Sequence, residues 1–289
     1  MTRHLPVIAA IPNYNMGRHL RELIPQLLSQ RYERIYVLDD ASTDDSVDIV
    51  GAFGADVRLV RSPHNQGAGA NRNQIIDHVD DATLIHFIDA DMELTTVDTP
   101  AVARAIAEHY LSQGVGMIGG LVSRIDGSQE YCNYGAAFSL WGNLTSNVPR
   151  LIDHWRRKPG LAGMVHRLAG PIAPGWPSLL DEPFPRPAYW LHEGNLLVYS
   201  DVFKAVGGYD PALRSHEAQD LAIRLDNKGI GRQFDPSIRV VHHHIDVRGK
   251  NRRKWESSAT RYLIRKHGVA RFVAGGRTPN TSTALEPIE

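Results

Sequence analysis

The segment Leu84-Ile-His-Phe-Ile-Asp-Ala-Asp91 decides the fold: a short buried-strand pattern stops abruptly at one acid, and a second acid follows two residues later. A strand apolar along its length belongs inside a parallel sheet covered on both faces. Upstream the same grammar recurs. Val7–Ile11 is a fully apolar run that stops at Pro12, Ile35–Leu38 ends in Asp39 and Asp40, and Val57–Val60 reads as a third strand. Between them, Arg18–Gln30 carries Leu20, Leu23, Ile24, Leu27 and Leu28 at helical spacing. Asp44 or Asp45 caps a helix through Val47, Ile49 and Val50, and Asn71–Val79 reads as the next helix. Strand and helix alternating at these short intervals predict an α/β fold with a mostly parallel central sheet flanked by helices. Ligands of such sheets bind at the carboxyl ends of the strands. Pro12–Asn15, Asp39–Asp40 and Asp89–Asp91 all fall there, so three separated motifs converge on one crevice.

Downstream, Pro100–Tyr110 continues as a helix and Gly116–Val122 as a strand. From about 143 to 187 the chain turns proline-rich, with Trp155, Trp176 and the basic run Arg156–Lys158, and shows little periodicity. It reads as a long insertion or lid. Glu193–Leu225 is regular again, Arg252–His267 is an amphipathic helix, and 276–289 is a disordered tail.

Lysine plus arginine equals aspartate plus glutamate at 32 each, which argues against a nucleic-acid partner. Cys132 is the only cysteine, so no intrachain disulfide forms and a reducing, cytoplasmic setting is the simpler expectation. Met1–Pro6 runs directly into the first strand without a long apolar signal region, and no stretch is apolar enough to span a membrane. The tryptophans and basic run of the insertion leave peripheral contact with the inner face of a membrane open.

Alternation along an extended chain turns Asp89 and Asp91 to one side, where they can hold a hard divalent cation that also grips a diphosphate. The plainer reading is a solvated strand end that caps the next helix. Asp39 and Asp40 can accept hydrogen bonds from a base or a ribose, since Asp44 or Asp45 suffices for the cap. The Gly67-x-Gly69 loop lacks the third glycine of a dinucleotide fingerprint and follows the third strand instead of the first. It reads as a helix entry that lets Arg72 approach donor phosphates, against the alternative of a surface ion pair. Glu217 and Asp220, three apart on one helix, can both face a cleft, where either could take a proton from an acceptor hydroxyl. The competing role for Asp220 is an ion pair with Arg224. In His242-His-His244 an extended chain presents the outer two together as candidate metal ligands.

Together these stretches resemble the family 2 glycosyltransferases, which have the GT-A fold. The likeness rests on Val7-Ile-Ala-Ala-Ile-Pro-Asn-Tyr-Asn15, Val37-Leu-Asp-Asp-Ala-Ser-Thr-Asp44, Asn65–Asn73, Phe87-Ile-Asp-Ala-Asp91, Gly194-Asn-Leu-Leu197 and Val206-Gly-Gly-Tyr-Asp210. It implies an inverting hexosyltransferase that uses a UDP- or GDP-sugar donor and Mn2+ or Mg2+, with a glycan, lipid-linked or small-molecule acceptor. A nucleotidyltransferase and a non-catalytic nucleotide-sugar-binding protein are the alternatives. By the likeness, Asp40 with Asp39 contacts the base, and Pro12 and Asn15 line the nucleotide pocket. Arg72 and the Asp89-Ala90-Asp91 tripeptide meet the donor, a histidine near 242 joins the metal, and Gly194–Asn195 faces a sugar. One departure is Ala218, where the family often has the aspartate that serves as base. The implied organisation is a catalytic domain over 1–245, with a nucleotide-binding half (1–122), the insertion (143–187) and an acceptor half (188–245). A helical extension (246–275) and the tail (276–289) follow.

Overall fold

The computed structural model describes residues 5–156, 158–173, 175–243 and 252–275. Four strands, β1 (Val7–Asn13), β2 (Arg34–Asp39), β3 (Val57–Arg61) and β4 (Leu84–Ile88), lie parallel in the order β3-β2-β1-β4. Each coincides with an apolar run of the sequence, β4 without change and the other three extended by a residue or two. Their side chains alternate between two cores, as the pleat requires. Val7, Ile8, Ala10, Tyr36 and Leu38 join one, where Ala103, Ala107 and Tyr110 of the helix Thr99–Leu111 cover them. Ala9, Ile11, Ile35 and Val37 join the other, under Leu20, Leu23, Ile24 and Leu27 of the helix Gly17–Leu28.

Beyond β4 the sheet changes direction. β5 (Met92–Leu94) follows Asp91, and β6 (Val115–Arg124) runs after the helix Thr99–Leu111. β7 (Tyr134–Gly135), β8 (Arg186–Pro187) and β9 (Trp190–Leu191) are two-residue pieces; β7 pairs with β9 as a separate ribbon. β10 (Asn195–Tyr199) lies antiparallel between β4 and β6, while β11 (Gly231–His242) runs parallel to β6 and carries β5 and β8. The expected turn at Gly194–Asn195 is therefore the entry to a central strand.

Two other stretches differ from expectation. The helix read as Asn71–Val79 begins earlier, at Ala68, and tightens to 3₁₀ over Gln74–His78. The proline-rich stretch holds three helices, Leu140–Thr145, Asn147–Trp155 and Pro159–Ala169. Pro149 and Pro159 sit in first turns, where the missing N–H is not needed. The expected tail and part of the expected extension lie outside the described residues. Among the described residues no helix is long and apolar enough to cross a membrane.

Asn195 ties the sheet's centre together. Its Oδ1 meets His86 Nε2 at 2.9 Å, and its Nδ2 donates to Leu121 O at 3.1 Å and Ile238 O at 3.2 Å, so one buried amide joins β4, β6 and β11. Gly120 makes the room: a Cβ there would press on this amide and lie 2.6 Å from Ile238 O. Burial pushes the His86 pKa down to about 4, so the imidazole is neutral at pH 7. Asn195→Ala strands these three groups at once and is expected to destabilise the fold by about 3 kcal/mol in equilibrium denaturation. An unchanged midpoint would show that the amide is dispensable.

Candidate active site

The carboxyl ends of β1, β2 and β4 present the expected acids, each already engaged. Asp39 Oδ1 accepts from Asn13 Nδ2 at 2.9 Å and its Oδ2 from the Ser42 N–H at 3.1 Å, with Arg61 Nε 3.5 Å away. Asp40 accepts the Gln66 and Gly67 N–H groups at 2.8 and 2.9 Å, one per oxygen. It thereby fixes the glycine loop, whose Gly67 has φ 90°. Asn15 Oδ1 accepts the Thr43 and Asp44 N–H groups at 2.7 and 3.3 Å, and Pro12 is half-buried beside that loop at the end of β1. Asp44, not Asp45, serves the following helix, by accepting from Ser46 N at 3.1 Å.

From the glycine loop, Asn71, Arg72 and Asn73 reach in different directions. Asn71 Nδ2 donates to Leu38 O at 2.7 Å, and Asn73 exchanges two hydrogen bonds with the Tyr209 backbone. Arg72, only 3% exposed, donates to Asp89 Oδ1 at 2.5 Å and lies over the Tyr209 ring. Burial disfavours its charge, but Asp89, with Glu193 and Glu217 near, outweighs that and holds the guanidinium firmly ionised. Asp89 remains part-exposed at 30%, so Arg72 meets the cleft through this carboxylate. The intervening Ala90 is buried.

Asp91 turns to β11. Its Oδ2 is 3.1 Å from His242 Nε2, and His242 Nδ1 is 3.3 Å from Glu130 Oε1. Burial opposes charge on this imidazole, yet the hydrogen bonds from Asp91 and Glu130 prevail and push its pKa up to about 10. His243 turns away to Glu93 at 3.0 Å, as the alternation predicts. His244 lies outside the described residues.

On the other wall, Gly194 packs so closely that a Cβ would come 2.8 Å from Asp89 Oδ2. Asn195 points into the sheet, its amide spent on the three strands described above. The helix Glu217–Asn227 separates its two candidate acids. Glu217 lies beside Gly69 and within the field of Arg72. Asp220 is fully buried on the side of the helix Arg252–His267, where it accepts from Arg224 Nε, Lys266 Nζ and His267 Nε2, each at 2.8 Å. The ion-pair reading of Asp220 thus describes its contacts, with two further partners, Lys266 and His267, that lie far along the chain.

Residues 8–138 match the model of glycosyl transferase family 2. This stretch contains every strand-end motif of the nucleotide half. The matched stretch is similar to family 2 glycosyltransferases. The pre-mycofactocin glycosyltransferase of Mycobacterium tuberculosis is 26% identical over 83% of this chain, which covers 43% of that protein. The glycosyltransferase GlyG of Streptococcus pneumoniae is 33% identical over 29% of this chain and 30% of its own length. The chain thus spans less than half the length of these curated relatives. Among solved structures, GalNAc-T7 with UDP, GalNAc and Mn2+ superposes with a TM-score of 0.57 at 15% identity, over 84% of this chain and 44% of that one. The mannosyltransferase of Pyrobaculum calidifontis with GDP-Man and Mn2+ gives 0.56 at 17% identity, over 97% and 67%. These neighbours share the GT-A fold.

Asp91 and His242 fit a divalent cation in one respect: neighbouring ligands of an octahedral ion with bonds near 2.1 Å stand about 3 Å apart, as these two donor atoms do. Among the described residues no group of three His, Cys, Asp or Glu converges tightly enough to hold an ion. An ion at this pair would need water or phosphate oxygens to complete its set.

Sequence reading missed Glu130, His192 and Glu193. His192 is buried, its pKa driven down to about 4 by that burial, and its Nδ1 accepts the Gly194 N–H at 3.0 Å. Its place beside Gly194, like that of Glu193, was a usable signal. Glu130 had none, since it follows an ordinary turn and meets His242 only through the fold.

For Asp220, burial would raise the pKa, but His267, Lys266 and Arg224 together lower it from 3.8 to about 2. A depressed folded-state value adds stability above the unfolded pKa that is lost as pH falls through the folded one. Asp220→Asn should therefore cost about 2 kcal/mol at pH 7, and the gap to wild type should close between pH 4 and 2. Denaturation curves across that range test it; a pH-independent gap would exclude the ion cluster as the cause.

Proposed function

We propose that this chain transfers a hexosyl group from a UDP- or GDP-sugar to an acceptor hydroxyl, with Mn2+ or Mg2+ held by Asp91 and His242 and with inversion at the anomeric carbon. The observation that carries the reading is the Asp91–His242 contact at the strand ends, next to the Arg72–Asp89 pair. The nucleoside would lie along Pro12, Asn15 and the loop that Asp39 and Asp40 hold. Two similar structures, one with UDP and one with GDP-Man, support a nucleoside-diphosphate donor and leave both bases in view. A bound cation would neutralise charge gathering on the departing diphosphate.

The chain's own residues supply orientation and proton transfer. Arg72 holds Asp89 in place, and Gly194 lets the wall of the cleft approach that carboxylate. Glu217, 8% exposed in the first turn of its helix, is the base. It takes the proton of the acceptor hydroxyl as that oxygen bonds to the anomeric carbon, and the bond to the diphosphate breaks with its electron pair on the phosphate oxygen. Asp220 is occupied by Arg224, Lys266 and His267.

Calorimetric titration of UDP and GDP, with and without manganese, tests the donor site. One diphosphate should bind with manganese and at least about tenfold more weakly to Asp91→Ala. Binding indifferent to both metal and substitution would remove the metal from the reading. Separately, Glu217→Gln should lower kcat by about 10²–10⁴ while donor affinity holds. A wild-type kcat would exclude Glu217 as the base.

A further inference from the structure

The insertion carries an apolar surface that the donor site does not use. Among the described residues, eight of the seventeen exposed large hydrophobic side chains fall within residues 140–172. They are ordered. The chain stays helical through Ser146, so Leu140, Leu144 and Leu151 fall along one stripe at the helical period. On the helix Pro159–Ala169, Leu161, Met164 and Leu168 follow at intervals of three and four, and all three face outward. Isolated exposed leucines need no explanation, but aligned stripes on neighbouring helices do. Their inner faces are spent normally, on Ile152 and Ala162.

Charge accompanies the stripes. Residues 140–172 hold five basic residues against one acid, Asp153, in a chain whose net charge is zero. That acid is itself paired with Arg124 at 2.6 and 2.9 Å. Arg150, Lys158 and Arg167 are exposed beside the leucines, and Trp141, 55% exposed, is fastened through its indole N–H to Ile172 O at 2.8 Å. Short helices with leucine and tryptophan outward and arginine and lysine at their flanks suit the boundary between headgroups and acyl chains. The longest of the three, Pro159–Ala169, is far too short to cross a bilayer.

We propose that the 140–172 helices dock this protein on an anionic lipid bilayer, lying in the interface with Leu140, Leu144, Leu151, Leu161, Met164 and Leu168 immersed. The basic residues supply attraction to anionic headgroups, and the leucines supply affinity that salt does not abolish. The same helices connect to the candidate site: Asp153 holds Arg124, Arg124 lies 3.6 Å from Glu130, and Glu130 meets His242. The inference stands apart from the donor chemistry and survives or fails without it.

Flotation of the full chain with vesicles tests it. The protein should float with phosphatidylcholine–phosphatidylglycerol vesicles, less with phosphatidylcholine alone, and less again at high salt. Leu144→Ser/Leu168→Ser should lower the bound fraction about tenfold with an unchanged thermal midpoint, because both sites are exposed. Arg150→Glu/Arg167→Glu should remove the preference for anionic lipid. Failure of the wild type to float with either vesicle overturns the proposal. So does a leucine variant that floats normally but loses concentration-dependent self-association, which would make the surface a contact between copies.

Discussion

A buried acid at a strand end must be compensated, and this structure is organised around that requirement. Asp39, Asp40 and Asp91 are each no more than 6% exposed, at the carboxyl ends of strands whose interiors are apolar except for His86 in β4. An unpaired carboxylate there would be costly. The compensation differs at each and positions a different part of the cleft. Asp40 uses two backbone N–H groups and so fixes the glycine loop; Asp39 uses Asn13 and Ser42 and so joins β1 to the next turn. Asp91 uses His242 and so anchors the end of β11. Asp89, the part-exposed member, has Arg72.

Asp89, Asp91, Glu130, Glu193 and Glu217 share one electrostatic neighbourhood with Arg72, His242 and His192. His192 is neutral at pH 7 because burial outweighs the acids around it. Among the described residues, Arg72 and the charged His242 meet these acids, and Arg124 lies 3.6 Å from Glu130. A divalent cation held by His242 would displace its proton, so metal binding there would release protons. The nucleotidyltransferase alternative needs a basic loop after the first strand. Pro12-Asn-Tyr-Asn15 stands there instead, with Asn15 spent on the backbone of Thr43 and Asp44.

The parallel half of the fold was legible because its strands are short, apolar and punctuated by acids; β4 spans Leu84–Ile88 as read. What escaped was everything set by distant partners. β10 is apolar like a parallel strand, and nothing in Leu196–Tyr199 tells which way it runs. Asn195 looked like a ligand residue because it is polar beside Gly194, yet its amide answers Leu121 and Ile238 from two other strands. Asp220 and Glu217 share a helix face by spacing, but Lys266 and His267 claim the former. The insertion helices were hidden by their own length, since six to eleven residues broken by proline show too few turns for a period to emerge.

Ala218 draws these threads together. The residue beside Glu217 packs against a cluster that includes Phe138, Trp190, Leu213, Ala259 and Leu263, so the C-terminal helix closes over this flank. An aspartate there would sit against apolar side chains, away from the Arg224, Lys266 and His267 contacts that Asp220 makes two residues along. The substitution therefore goes with the extension: a helix packed on this flank requires a small apolar neighbour, and the flank then offers no base of its own. Glu217 faces the opposite way, towards Gly69 and Arg72, so the loss of a carboxylate at 218 removes nothing from the cleft side. The non-catalytic reading drew its support from that alanine, and the packing accounts for it without appeal to lost activity.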